Sequence, residues 1–262
     1  MDLANTRLLI GGGMASRPFY YEMFELCGKR PTIAFELSSR TSEETFNSSR
    51  ENWQKKLVDR YNLPEPIWLE EAFDEGYAAD TFDAALDEAD ALFVAGGSTT
   101  RCFSRWQELG VTQIARERVA DGDIVGSGVS SGALIWFASG LSDSPSYKVN
   151  KGDYWEYTES QGVGLLPGVA TPHYSDTDDR NRQRAEEFSR LLSTHSSEYH
   201  GIGIDFLAAL SITDGKAKVL RTDWTGKIGS ANAYIHRQDG TVLTIPEEFS
   251  FPFAALTDQK SL

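Results

Sequence analysis

The chain has 262 residues, 40% of them hydrophobic, with 25 basic and 39 acidic residues and a net charge of −14. That length and apolar content can enclose a full core, whereas the charge repels nucleic acid and anionic membranes over the surface as a whole. No apolar run approaches the roughly 20 residues that cross a bilayer, and no linker tract or repeat divides the chain, so a single domain over residues 1–262 is expected.

The start, MDLANTRLLIGGG, lacks the basic segment and long apolar stretch of a secretory signal. Cys27 and Cys102 stand without metal-ligand spacing and without the density of a disulfide scaffold, so a reducing cytoplasm is the expected location. From Arg7 onward, short apolar runs alternate with longer amphipathic segments, the pattern of βαβ units around a mostly parallel sheet. Strands are expected at 7–10, 32–35, 67–69, 91–95 and 124–128. Helices are expected at 41–61, which opens with Thr-Ser-Glu-Glu as a capping signal, and at 82–88, 99–108, 112–121, 131–139 and 179–192. After Gly201 the texture changes to short strands with tight turns, including an Asp239-Gly240 hairpin signal.

In open α/β sheets, ligands bind beyond the carboxyl ends of the strands. Three glycine-rich turns fall there: Gly11-Gly12-Gly13, Gly96-Gly97-Ser98-Thr99, and Gly126-Ser127-Gly128-Val129-Ser130-Ser131-Gly132-Ala133. The first lacks the G-x-G-x-x-G spacing of a dinucleotide site and reads as a close strand–helix turn. In the third, only Ser130 has glycine two residues before and two after, the Gly-x-Ser-x-Gly spacing that lets a serine nucleophile sit on a sharp strand-to-helix turn. A serine needs a base, and hydrolases with this elbow place their partners in the order serine, acid, histidine. All four histidines follow Ser130. His195 and His200 lie in a polar connector and read as solvated, and His236 lies in an alternating strand and reads as half-exposed. His173 closes the run GVGLLPGVATPHY, where an α/β enzyme presents reacting groups. For the acid, Asp143 directly follows the segment carried by the elbow, while Asp153, Glu156 and Glu159 fall in a loop-like stretch.

ALFVAGGSTTRCFSRWQELG, DIVGSGVSSGALIWFASGLSDS, GVGLLPGVATPHYSD and GIGIDFLAALSITDG, taken in order over roughly residues 85–220, resemble the signatures of the dipeptidase E family, the aspartyl dipeptidases related to cyanophycinase. The resemblance implies an α/β three-layer sandwich with a mostly parallel central sheet, flavodoxin-like or class I glutamine-amidotransferase-like, with extra hairpins near the C-terminus. It also implies a serine peptidase without metal or cofactor, acting on small peptides with an N-terminal aspartate. By position, the family's nucleophile falls on Ser130 and its histidine on His173, with the acid around Asp143. Two positions depart from the family's usual pattern: Ser131 stands where alanine is usual, and Ser98 where asparagine is usual.

On this reading His173 deprotonates Ser130, Asp143 fixes the imidazole, and the amides of Ser131 and Gly97 hold the oxyanion. Because the chain is so acidic, an aspartate side chain needs a local cation. The densest basic cluster is Asp178-Asp179-Arg180-Asn181-Arg182-Gln183-Arg184, where Arg180 and Arg184 share a helix face. Either could grip a carboxylate bidentately; an ordinary solvated face is the alternative. Residues 141–161, rich in tyrosine, read either as a lid or wall of the site or as a surface hairpin. A small peptide is the expected partner, with no nucleic acid and no membrane, and a homo-oligomer is compatible with the sequence. Rival readings are hydrolysis of isoaspartyl or other small amides, or a non-catalytic binding protein of the same fold.

Overall fold

The apolar runs of the N-terminal half assemble side by side, and the computed structural model describes residues 3–69, 76–147, 156–175, 184–195, 200–221, 231–237, 239–245 and 251–252. Strands β1 (Arg7–Gly11), β2 (Ile33–Glu36), β3 (Ile67–Leu69), β4 (Ala91–Val94) and β5 (Val125–Val129) pair in parallel in the order β1-β5-β4-β2-β3. The sheet continues beyond β1 through antiparallel β10 (Ala208–Thr213), β11 (Lys216–Arg221) and β14 (Phe251–Pro252), giving eight strands.

Both faces of this sheet are covered, which is why its strands read as continuous apolar runs. Leu8, Ile10, Leu92 and Val94 point to one core layer, beneath helices α3 (Ala79–Asp87), α4 (Thr99–Leu109) and α5 (Val111–Ala120), through Phe82, Trp106 and Ala115. Leu9, Phe35 and Phe93 point to the other, where α1 (Arg17–Cys27) and α2 (Glu43–Trp53) contribute Phe19, Met23 and Phe46. The capping signal is real, one residue later than read: the Ser42 hydroxyl accepts from the Thr45 amide, and α2 runs on into a π-helical turn, Gln54–Asp59.

Beside this mostly parallel central sheet stands a second sheet of six strands, which gathers the later β-structure. Its members are β6 (Phe137–Ser142), β7 (Thr158–Gln161), β8 (Leu166–Pro172), β9 (Gly201–Ile204), β12 (Ala233–His236) and β13 (Val242–Ile245), in the order β13-β12-β9-β8-β6-β7. Its centre, β6-β8-β9, is parallel and its edges antiparallel. Helix α7 (Arg184–Leu192) packs Phe188 and Leu192 on Leu141 and Val169 of this sheet.

The helix expected at 131–139 is one short turn, α6 (Ser131–Leu134), after which the chain becomes β6. LIWFASG is apolar on every side, and such a run has no period that tells a buried strand from a buried helix; Trp136 and Phe137 are both enclosed. Helix α1, absent from the sequence reading, starts with Pro18 in its first turn and stops at Gly28 in the left-handed conformation. The Asp239-Gly240 turn does join β12 to β13 as a hairpin.

Candidate active site

Adjacent parallel strands bring the three glycine turns together at the carboxyl ends of β1, β4 and β5. Ser130 stands between β5 and α6 with φ 57° and ψ −120°, a conformation a non-glycine residue adopts only when its surroundings impose it. The flanking glycines make that possible by close approach: a Cβ at Gly132 would sit 1.9 Å from the Val94 carbonyl oxygen, and one at Gly128 2.3 Å from the Gly132 oxygen.

His173, at the end of β8, places Nε2 2.9 Å from Ser130 Oγ. It too has a positive φ, 55°. Both residues hang from the first glycine turn, because the Ser130 amide donates to the Gly11 carbonyl at 2.9 Å and the His173 amide to the Gly12 carbonyl at 3.1 Å. A Cβ at Gly13 would lie 2.1 Å from the Phe206 ring and 2.8 Å from His173 Cε1. The His173 ring is thus boxed between Gly13 and Phe206, whose ring centroid is 5.3 Å away. The Gly11–Gly13 turn therefore does more than join a strand to a helix: it sets the spacing of the pair.

Asp205, which the sequence reading passed over, ties down the turn carrying His173. Its buried carboxylate accepts from the amide and hydroxyl of Ser175, from the Asn232 amide at 2.9 Å and from the Tyr234 hydroxyl at 3.2 Å. The signal available was an aspartate at the carboxyl end of the buried strand GIGI. Next to His173, the Tyr174 hydroxyl meets His236 Nε2 at 2.7 Å. Burial, then Tyr234 and Asp205, push the tyrosine pKa up to about 12, and burial pushes that of His236 down to about 4. His236 is therefore an enclosed neutral ring, not the half-exposed one expected. His200 is likewise buried, and His195 lies 3.1 Å from Glu159.

The other expected site residues are distributed differently. The Asp143 carboxylate pairs with Arg184 at 2.9 Å and makes no hydrogen bond to His173, so the structure does not bring it to the pair. Arg184 is only 1% exposed and its guanidinium lies over the Tyr157 ring, so it is committed to the interior and not open to a substrate. An arginine-rich stretch shows where cations are dense in sequence; it does not show which of them point inward. Arg180 lies outside the described residues. Gly97, with φ 150°, packs against the Ser39 carbonyl, and the Ser39 hydroxyl donates to Gly96 at 2.9 Å, fixing the turn beside Ser130. Ser131 opens α6 directly after the nucleophile position, with its hydroxyl on the Ala95 carbonyl. Of the stretch 141–161, residues 148–155 lie outside the described residues, and its two ends pair as the antiparallel β6 and β7.

Ser130 and His173 lie in a cleft of about 720 Å³ that also takes in Gly96, Gly97, Tyr20, Trp53 and Tyr61. Burial, together with Tyr61, raises the Tyr20 hydroxyl far above its ordinary range, against an opposing pull from Arg60. Among the described residues no group of three or more histidine, cysteine or acidic side chains could hold a metal ion, and no helix is long and apolar enough to cross a membrane.

Two sheets flanked by helices, with a serine on a strained elbow facing a histidine in a cleft, define the class as an α/β peptidase. The chain belongs to peptidase family S51, the dipeptidase E family, whose profile matches residues 74–220. It is 34% identical over 106 residues to the uncharacterized peptidase YgaJ of Bacillus subtilis, covering 40% of this chain and 40% of that relative's length. In fold it resembles a peptidase from an acI-B1 Actinobacterium, with a TM-score of 0.70, 15% identity and coverage of 97% of this chain and 99% of that one. It also resembles a putative peptidase E protein from Listeria monocytogenes, with a TM-score of 0.61, 19% identity and coverage of 83% and 99%.

Proposed function

We propose that the protein is a serine peptidase that cleaves short peptides, dipeptides with an N-terminal aspartate among them, through an acyl-enzyme on Ser130. The observation that carries this is the 2.9 Å contact between Ser130 Oγ and His173 Nε2 at a strained elbow open to a cleft. Nε2 takes the hydroxyl proton as Oγ bonds to the scissile carbonyl carbon. The carbonyl oxygen, now an oxyanion, is met by the amides of Ser131 and Gly97. When the carbon–nitrogen bond breaks, the imidazolium returns the proton to the leaving amine. Water then loses a proton to the same nitrogen and attacks the ester, and as the ester breaks the imidazolium returns that proton to Ser130 Oγ, freeing the acid product and restoring the pair. Asp143 has no part in this scheme; the hydrogen bond from the His173 amide to Gly12 and the Phe206 ring help to hold His173 in place.

The test is labelling by a fluorophosphonate with and without Ser130. Wild type is expected to be labelled and to cleave Asp-X dipeptides, while Ser130→Ala and His173→Ala lose both, by about 10³-fold or more, and keep their melting behaviour. An unlabelled wild type, or a Ser130→Ala protein that still hydrolyses peptides, would overturn the proposal.

A further inference from the structure

The cleft has a second feature that the chemistry at Ser130 does not use. Arg17, Arg40, Lys56 and Arg60 all line it, and among the described lining residues there is no carboxylate. In a chain with 39 acidic residues against 25 basic, such a one-signed wall runs against the composition. Clefts of one sign with low-dielectric sides concentrate oppositely charged ligands, and Tyr20, Trp53 and Tyr61 supply the apolar sides here.

Lys56 and Arg60 are the informative pair. They sit four residues apart on the π-helical turn and its cap, and among the described residues neither is in an ion pair. Leu57 and Val58 anchor this turn in the core, leaving the two cations at the surface of the cleft. The adjacent acid, Asp59, accepts a hydrogen bond from Gln54 Nε2 at 2.8 Å and, among the described residues, forms no ion pair with Arg60. Arg60 instead lies against the Tyr61 ring at 5.7 Å. π-Helical turns are rare and gather at functional sites, and these residues precede the stretch matched by the family profile, residues 74–220.

We infer that Lys56 and Arg60 form an anion subsite for the leaving part of the substrate, so that the preferred peptide carries carboxylates beyond the scissile bond. This rests on the reading of Ser130 as nucleophile. With the acyl residue at Ser130, the leaving amino acid brings its free C-terminal carboxylate one residue away, and an acidic side chain there adds a second. A compact, partly enclosed wall beside a peptidase nucleophile suits a short acidic peptide, and the acidic surface around it disfavours a long polyanion such as nucleic acid.

The experiment compares three substrates that share an N-terminal aspartate: Asp-Ala-amide, Asp-Ala and Asp-Glu, with zero, one and two carboxylates on the leaving side. The kcat/KM of wild type is expected to rise about fivefold per carboxylate, as for a partly exposed charge pair, and to flatten with added salt. The Lys56→Ala/Arg60→Ala protein is expected to compress this ladder to less than about twofold per step. Lys55→Ala, on the same turn but outside the cleft, is expected to keep the ladder. The same peptides are titrated into Ser130→Ala protein to read binding alone. Graded binding lost in the Lys56/Arg60 variant without turnover by wild type would overturn the catalytic reading and support the subsite. Equal binding and equal cleavage of all three peptides by wild type, or a ladder unchanged in the double variant, would overturn the subsite.

Discussion

The floor and the far wall of the cleft are built on opposite principles. At the floor, Ser130 and His173 both have positive φ, and the carbonyls of Gly11 and Gly12 hold their amides. At the wall, Lys56 and Arg60 are long exposed side chains on the π-helical turn and its cap. The difference follows from what each part must do. A proton transfer requires heavy atoms about 3 Å apart with little tolerance, so its supports are backbone and glycine. A charge attracting a carboxylate loses little from a small displacement, so flexible side chains suffice.

The comparison breaks most sharply at Gly12. A Cβ there would lie 2.0 Å from the Asp205 carbonyl oxygen and 2.4 Å from that of Ile204, both backbone atoms that cannot swing aside. Gly12→Ala must therefore displace the carbonyl that holds His173. We expect kcat/KM to fall about 100-fold, the scale of a 1 Å misplacement, with a stability loss of about 1–3 kcal/mol from overpacking. Kinetics alongside a circular-dichroism melt separate the two effects. A Gly12→Ala enzyme with half of wild-type kcat/KM would mean that the floor is not backbone-set.

Asp205 sharpens the same point one layer out. Asp205→Asn replaces one acceptor oxygen with an amide that cannot accept from the Asn232 amide, the Tyr234 hydroxyl or the Ser175 turn together. The expected result is a drop of about tenfold in kcat with KM within about twofold, because the turn carrying His173 loosens while the wall is untouched. A rise in KM without a change in kcat would reassign Asp205 to substrate binding.

Floor and wall also differ in how far the sequence revealed them. Gly128, Ser130 and Gly132 form a local spacing whose cause is steric, and His173 closes a strand run, so both were readable from neighbours in the chain. The parallel strands were readable too, since burial on both faces makes Ala91–Val94 apolar throughout. Lys56 and Arg60 were not, because in sequence they look like any solvated helix face; only the folded chain places them in the same cleft as Ser130. The extent of α6 escaped for a related reason: Trp136 and Phe137 are enclosed in the main core by residues distant in the chain, Trp106 among them, a tertiary fact with no local period.

Asp143 gives the smallest expected effect on turnover and the clearest contrast between a charge in the interior and one that acts on substrate. Chain order suggested it as the acid for His173, and a triad aspartate replaced by asparagine loses orders of magnitude in kcat. Here its carboxylate is 2.9 Å from Arg184, with side-chain exposures of 20% for the aspartate and 1% for the arginine. Removing the negative charge takes one counter-ion from the enclosed guanidinium, and breaking a buried pair from one side costs about 3–5 kcal/mol. Because Asp143 is partly open to water and asparagine keeps one acceptor oxygen, we expect Asp143→Asn to lose about 1–2 kcal/mol, at the lower end of what an unsatisfied charged partner costs. Turnover of Asp-X dipeptides should stay within about threefold of wild type, since no hydrogen bond links this carboxylate to His173. Urea titration reads the stability and initial rates read the turnover. A kcat lowered by 100-fold or more with unchanged stability would return Asp143 to the catalytic pair and place Arg184 among its supports.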